Sequence, residues 1–320
     1  MLKKLLSKLG VGAAKVDLVL HHPHVRLGEK LEGEFFIEGG TVEQHIRKLE
    51  VELQLIVHAD GKAYRRTAAV IPVSSSFTIQ PGERKALPFS YVLPLHLPIT
   101  RPHVRYAFVT RLDIADGVDA FDQDAIDILP PLSLEKLFHA LENIGFREKP
   151  SSGKITPYGQ EFAFFPTGAW MGMIEEVEFS ALIEENGVRL YLEVDVRSGF
   201  GGFHETERKR EIFLSNEEID DVEETAGKLR TVIEEMIQQP HSYIGTSYVP
   251  FSSYPPQHVS HHHGGHGMMG AIGGFAAGML AGMAAEELLE DVVEDALDHD
   301  MEDVMDDIGD WFDGGDDDIL

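Results

Sequence analysis

The sequence contains no cysteine among its 320 residues. Disulfides, thiolate metal sites and a cysteine nucleophile are therefore excluded, which suits a protein of a reducing compartment. The N-terminus, MLKKLLSKLGVG, has lysines but only a short apolar run. A secretory signal needs an apolar core of about seven to fifteen residues. We therefore expect a cytoplasmic protein.

The common catalytic motifs are missing as well. The sequence has no G-x-S-x-G, no P-loop and no dinucleotide fingerprint, so we expect no enzyme activity and no cofactor. The stretch DIADGVDAFDQDAID, residues 113–127, is rich in aspartate but lacks the spacing of a calcium loop. It is predicted to be a turn between two strands.

Positive charge is scarce and unevenly placed. The formal net charge is -28, and residues 286–320 contain seventeen Asp and Glu but no Lys or Arg. Sequence-independent binding to nucleic acid requires a basic footprint, so we expect no nucleic-acid partner. The expected partners are other proteins.

Alternation of apolar and polar residues is typical of the first 130 positions. The segments LEVELQLIV, residues 49–57, and VRYAFVTRLDI, residues 104–114, each place their apolar residues on one face. Shorter strands are predicted over residues 14–20, 31–37, 64–71 and 87–93. Many strands separated by turn signals, with little helix, predict a β-sandwich.

Two helices are predicted after residue 130. Ser133 is the expected N-cap of the first helix, whose inward face carries Leu134, Leu137, Phe138 and Leu141. Ser215 and Glu218 form a capping-box pattern at the start of the second. Its apolar stripe has helical period and consists of Ile219, Val222, Ala226, Leu229, Ile233, Met236 and Ile237. Pro240 is expected to end it.

A hairpin is predicted over residues 175–197, EEVEFSALIEENGVRLYLEVDVR. Asn186-Gly187 is a strong two-residue turn signal, and this turn places Phe179 opposite Val194. The same register places Glu178 opposite Asp195. Every apolar residue then faces another, which is expected to fix the pairing.

The polar face of this hairpin is the first candidate functional surface. Like charges directly opposite each other are destabilising, so Glu178 and Asp195 need a cation between them, which Arg197, a metal ion or a partner's lysine can supply. The face is either a solvated, salt-bridged surface, a partner-binding surface, or an acid–base or metal site. The candidate contact residues are Glu178, Glu193, Asp195 and Arg197.

Three features are predicted in the C-terminal part. His261, His262, His263 and His266 lie in a Gly/Ser/Pro-rich stretch that is either a weak metal site or a plain linker. Gly270, Gly274, Gly278 and Gly282 form a four-residue step that favours a helix-packing groove, with membrane association or disorder as alternatives. An acidic amphipathic helix follows, with partner-binding or self-association candidates at Leu297, Met301, Val304, Ile308 and Trp311.

Five segments in the same order give the sequence a family resemblance. They are KKLLSKLGVGAAKVDLVL, VRLGEKLEGEFFIEGGTVEQHI, TRLDIADGVDAFDQDAIDI, QEFAFFPTG and LEVDVR. The sequence resembles the bacterial sporulation-control protein family over about residues 1–237. The resemblance implies an arrestin-like fold in the N-terminal half. It also implies a regulatory, non-catalytic role in sporulation or an equivalent stress response, exerted through protein contacts.

The expected architecture is mainly β, with two arrestin-like β-sandwich domains in tandem. The predicted boundaries are 1–130 for the first domain with a short amphipathic N-terminal helix, 131–154 for a linker helix and loop, and 155–240 for the second domain with its closing helix. A linker, 241–266, and a helical acidic tail, 267–320, follow. We expect a cytosolic adaptor. A membrane-associated scaffold is the alternative, and a metal-binding protein is a weaker one.

Overall fold

The computed structural model describes residues 12–59, 61–156, 159–198 and 204–238. The predicted N-terminal helix and every feature predicted after residue 238 lie outside these residues. The described chain is mainly β, as predicted from the alternating pattern.

The elements are given in chain order. The strands are β1 Lys15–Leu20, β2 His24–Arg26, β3 Lys30–Glu38, β4 Gln44–Ala59, β5 Lys62–Ser74, β6 Phe77–Ile79, β7 Arg84–Val92, β8 Val104–Ile114, β9 Ala120–Leu129, β10 Phe146–Glu148, β11 Lys154–Thr156, β12 Gly159–Pro166, β13 Ile174–Glu184, β14 Gly187–Ser198 and β15 His204–Ser215. The helices are α1 Leu132–Asn143, α2 Asn216–Asp220 and α3 Val222–Gln238, with a 3-10 turn at Gly168–Trp170.

The N-terminal strands form two facing sheets. One has the order β1-β3-β7, and the other has the order β2-β9-β8-β4-β5 with β6 paired to β4. The predicted strand over residues 49–57 lies inside β4, and its Leu49, Leu53 and Leu55 are fully buried. Phe89 joins the two layers, with edge-to-face contacts to Phe35 at 5.4 Å and to Phe108 at 5.5 Å between ring centroids.

The C-terminal strands form one sheet in the order β10-β12-β13-β14-β15, with β11 paired to β12. Its inner face carries Phe162, Phe164 and Phe179, and Phe138 of α1 packs on all three at 5.1 to 6.1 Å between ring centroids. Helix α3 covers the rest through Leu229 and its other buried residues. The layer facing this sheet is thus helical, where a second sheet was expected. Two helices with continuous apolar stripes already cover the inner face.

Helix starts agree only in part with the predicted caps. Helix α1 begins at Leu132, and Ser133 is not its cap. Pro131 precedes it with φ -63 and accepts the amides of Leu134 and Glu135 on its carbonyl. The proline ring fixes that φ, so the chain enters the helix directly after it. The Ser215–Glu218 capping box is confirmed.

The second predicted helix is divided in two. The backbone leaves the helical conformation at Asp221, whose carboxylate accepts the amides of Glu223 at 2.9 Å and Glu224 at 3.1 Å. Asp221 is therefore a new N-cap for α3. At the other end of α3, the Arg208 guanidinium donates to the carbonyls of Met236 and Ile237, which ties the last turn to the sheet.

Polar contacts join the N-terminal sheets to the C-terminal sheet. The Gln160 side chain accepts from the Ile99 amide at 2.7 Å and donates to the Ile99 carbonyl at 2.9 Å. Arg101 donates to Glu148 at 3.1 Å and lies over the rings of Phe138 and Phe162. The two parts are therefore held together by directional contacts. The domain boundaries themselves stay predictions.

Neighbouring phenylalanines in β12 provide a test of the sheet orientation. Phe164 is fully buried on the inner face, whereas Phe165 is 40% exposed on the outer face. Phe164→Ala should lower the free energy of unfolding by about 3–5 kcal/mol in urea titrations, because it leaves a cavity among aromatic rings. The matched control Phe165→Ala should change it by only about 0.5 kcal/mol. Equal losses in the two variants would contradict this orientation.

Candidate functional site

The candidate surface is the outer face of the C-terminal sheet, and its strand register differs from the predicted one. Glu184 pairs with Gly187, so the two-residue turn is Glu185-Asn186 and not Asn186-Gly187. The predicted pairing of Glu178 with Asp195 is wrong, as is that of Phe179 with Val194. Glu178 lies opposite Glu193, and Phe179 lies opposite Leu192.

Gly187 explains the difference. It is a strand residue paired with Ser215 on its other side, and a Cβ there would lie 2.1 Å from the Leu214 carbonyl oxygen. The glycine thus permits close approach of β15 and does not supply the turn. A shift of two residues keeps every side chain on its predicted face, so the polar and apolar faces are as expected.

Five carboxylates crowd the outer face. Glu178 of β13 is opposite Glu193 of β14, and Glu176 is opposite Asp195. Glu161 of β12 lies opposite Ser180, and Ser180 is the next residue of β13 after Glu178 that points to this face. Glu161 therefore lies on the outer face as well. We call Glu161, Glu176, Glu178, Glu193 and Asp195 the acidic face. Like charges this close repel each other across the strands.

The pKa values of the acidic face reflect partial burial and this crowding. Partial burial raises the pKa of the Glu178 carboxyl to about 7, and the charges of Glu161, Glu176, Glu193 and Asp195 add to the rise. Burial is also the main cause of the raised pKa values of Glu161 and Glu193. The acidic face therefore carries a proton on Glu178 for part of the time near neutral pH.

Cations from neighbouring elements offset part of the charge of the acidic face, and Lys154 of β11 lies opposite Glu161. Lys209 of β15 lies 2.9 Å from Glu193 and offsets part of the rise in the pKa of Glu193. Lys149 pairs with Glu176. Arg197, one of the three alternatives for a cation beside Glu178 and Asp195, pairs with Glu175. Glu175 falls at an irregularity between Ile174 and Glu176, which brings it within reach of Arg197.

The pKa values of Glu161, Glu178 and Glu193 are all raised, and partial burial is the largest cause for each carboxyl group. Within the described residues, no group of three or more His, Asp or Glu is arranged to hold a metal ion.

Residues 115–119 of the aspartate-rich stretch form the turn between β8 and β9, whereas residues 120–127, which were predicted as part of the turn, belong to β9. Carboxylates of the stretch are engaged locally: Asp113 by Arg47 at 2.6 Å and Asp119 by Arg111 at 2.8 Å. Asp119 also accepts the Ile114 amide at 2.9 Å, which closes the turn. These contacts hold the Asp113 and Asp119 carboxylates at the turn.

Sequence reasoning missed a second cluster of carboxylates, which consists of Asp122 and Asp124 of β9 and Asp17 of β1. The Leu18 amide of β1 donates to Asp122 Oδ2 of β9 at 2.7 Å, which links the two N-terminal sheets at their margin. Burial, Asp122 and Asp17 raise the pKa of Asp124 to about 7. The alternating pattern of β9 contains the signal that would have predicted this cluster, because Asp122 and Asp124 lie on the same face as the buried Ile126 and Ile128.

The other predicted site residues lie outside the described residues. These are the histidines His261, His262, His263 and His266, the glycines Gly270, Gly274, Gly278 and Gly282, and the tail residues Leu297, Met301, Val304, Ile308 and Trp311. Of the helices within the described ranges, none has the length and apolar character needed to cross a membrane.

Stability should depend on pH through Glu178. Its pKa is about 7 in the folded state and near 4.5 in the unfolded chain, so the folded protein binds the proton more tightly than the unfolded chain does. Stability from this group is therefore lost as pH rises from about 4.5 to 7, and the loss is complete above that range. In urea titrations, Glu178→Gln should be more stable than the wild type at pH 8, and this advantage should shrink toward pH 5.

A control variant distinguishes repulsion within the acidic face from the effect of the total number of charges. Glu29→Gln removes one exposed carboxylate from the turn before β3, far from the acidic face in the fold. It should leave the pH dependence of the wild type unchanged. The same pH-dependent gain in Glu29→Gln and Glu178→Gln would contradict the proposed repulsion.

Comparison with known proteins identifies the family. A family model described as SpoOM protein matches residues 2–199. The sporulation-control protein spo0M of Bacillus subtilis (strain 168) is 36% identical over 255 residues, which are 74% of this chain and 97% of that protein. The crystal structure of Spo0M from Bacillus subtilis matches with a TM-score of 0.59 and 32% identity, covering 70% of this chain and 99% of that one. The family predicted from the five sequence segments is confirmed, and this chain belongs to the SpoOM protein family.

Proposed function

We propose that this chain is a regulator of sporulation, or of an equivalent developmental or stress response, that acts without catalysis by binding other proteins. The relative from Bacillus subtilis is a sporulation-control protein and aligns along nearly its whole length. The proposed place of action is the cytoplasm, in keeping with the absence of cysteine.

The acidic face is the proposed contact surface. The observation that carries this is the placement of Glu178 directly opposite Glu193, and of Glu176 opposite Asp195, on the outer face of the sheet, and the raised pKa of Glu178 agrees with it. Such an arrangement costs stability in the free protein, because the repulsion is only partly relieved by Lys149 and Lys209. A lysine or arginine from a partner relieves it, so binding and deprotonation of Glu178 are coupled.

The rigidity of the sheet supports this role. Glu178 and Glu193 alternate with Val177, Phe179, Leu192 and Val194, which are buried on the inner face. The carboxylates therefore keep their spacing before a partner arrives, and a pre-organised surface loses less entropy on binding. The proposed partner is a protein that presents a basic surface.

Charge reversal on the acidic face tests the proposal. The full chain with Glu178→Lys and Glu193→Lys should lose at least one protein that co-purifies with the wild type from its own cells. Repulsion between like charges at an interface suppresses association, so the recovery should fall at least about tenfold in quantitative mass spectrometry.

The matched control changes the same net charge elsewhere. Glu29→Lys with Glu185→Lys reverses two exposed carboxylates away from the acidic face, and it should retain the wild-type partners. Circular dichroism verifies that both double variants are folded. Identical sets of recovered proteins from both variants would refute the acidic face as the contact surface.

A further inference from the structure

One corner of the N-terminal sandwich carries arginines that have no partner among the described residues. Within residues 12–59, 61–156, 159–198 and 204–238, three arginines have no carboxylate, hydrogen bond or ring as partner: Arg65, Arg66 and Arg105. The other eleven arginines there each contact a carboxylate, a carbonyl or an aromatic ring. In a chain with a net charge of -28, unpaired arginines are unexpected.

Two of these arginines share one face of the sheet. Arg65 of β5 lies opposite Ile56 of β4, and Ile56 lies opposite Arg105 of β8. Residues opposite one another point to the same face, and two strand spacings separate the arginines by roughly 9–10 Å.

One carboxylate, that of Asp127, lies close to this pair, and the adjoining row along the strands carries no charged residue. The next row along the strands holds Thr67, Gln54, Ala107 and Ala125, which carry no charge. Asp127 lies near Arg105, but the His24 ring lies 3.0 Å from its carboxylate. We call Arg65 and Arg105, with the surface around them, the cationic corner.

The corner also has a concave part. Arg105 and Asp127 line a shallow cavity of about 350 Å³ with Thr100, Arg101, Pro102 and Leu129. Arg101 is fixed there by Glu148 at 3.1 Å, so one wall of the cavity is rigid. The half-buried Arg105 guanidinium has room beside it for an incoming carboxylate.

We propose that the cationic corner binds the acidic C-terminal segment of this same chain, residues 286–320. Charge complementarity carries the choice of occupant, because this segment has seventeen carboxylates and no lysine or arginine. Arginine favours carboxylates through paired, charge-assisted hydrogen bonds. The inference does not depend on the partner proposed for the acidic face.

The covalent connection permits the contact. Forty-seven residues separate Gln238, the last residue of α3, from Glu286. Fully extended, a chain of that length spans roughly 150 Å, which exceeds what any point on a protein of this size requires. A tethered segment also has a high effective concentration, which strengthens contacts that would be weak between separate molecules.

Energy transfer between two dyes tests the contact in the full chain. The absence of native cysteine allows specific labelling of Gln123→Cys, an exposed position on β9, and Leu320→Cys at the C-terminus. Transfer should be high at low salt and should fall as salt approaches 1 M, where the screening length is about 3 Å. Transfer that is independent of salt would contradict the proposal.

Charge reversal at the corner gives the second arm. Arg65→Glu with Arg105→Glu should lower the ratio of docked to undocked molecules at least about tenfold. The matched control, Lys30→Glu with Arg84→Glu, makes the same change in net charge at cations that already pair with Glu32 and Glu38. It should keep the wild-type transfer, and thermal melting monitors folding of both variants.

Two outcomes overturn the inference. Equal losses of transfer in the corner variant and its control would show that only net charge matters. Transfer in a mixture of chains labelled singly with donor or acceptor would show that a second copy supplies the acidic segment, so the contact would not be within one chain.

Discussion

Repulsion between carboxylates on a rigid sheet is the interaction on which the account of this protein depends. The apolar side chains of β13 and β14 pack against α1 and α3, and this packing leaves no freedom for the strands to rotate their acidic residues apart. Glu178 and Glu193 thus remain opposite each other, and partial burial together with the neighbouring carboxylates raises the pKa of Glu178 to about 7. In the proposed function, a basic partner relieves the cost of that arrangement.

The molecule separates its two signs of charge in space. The acidic face occupies the outer side of the C-terminal sheet, whereas Arg65 and Arg105 lie on the outer side of an N-terminal sheet. Gln160 and Arg101 link these parts through hydrogen bonds and ring contacts. The two proposed contact surfaces therefore lie on different sheets, so the proposed basic partner and the proposed acidic segment do not compete for one site. Membership of the SpoOM protein family gives that arrangement a biological setting.

The sequence predicts which face of a strand is buried better than it predicts which strands and side chains become neighbours. Alternation assigned Leu49, Leu53 and Leu55 to the core, and capping chemistry located Ser215, because both signals are local. The hairpin register was missed because Gly187 is required by the close approach of β15, a contact that no local pattern encodes. Arg197 pairs with Glu175 through a strand irregularity, and Arg65 and Arg105 stand out only by comparison with the eleven described arginines that have partners. Such features depend on which strands become neighbours.

The central claim is tested most directly by the ionisation of Glu178 itself. Carbon-detected NMR of the full chain, with labelled glutamate and with Glu178→Gln for assignment, gives the midpoint of its carboxyl titration. The account predicts a midpoint near pH 7 that moves to lower pH when a lysine-rich peptide is added. A midpoint near the ordinary value of 4.5, unaffected by the peptide, would contradict it.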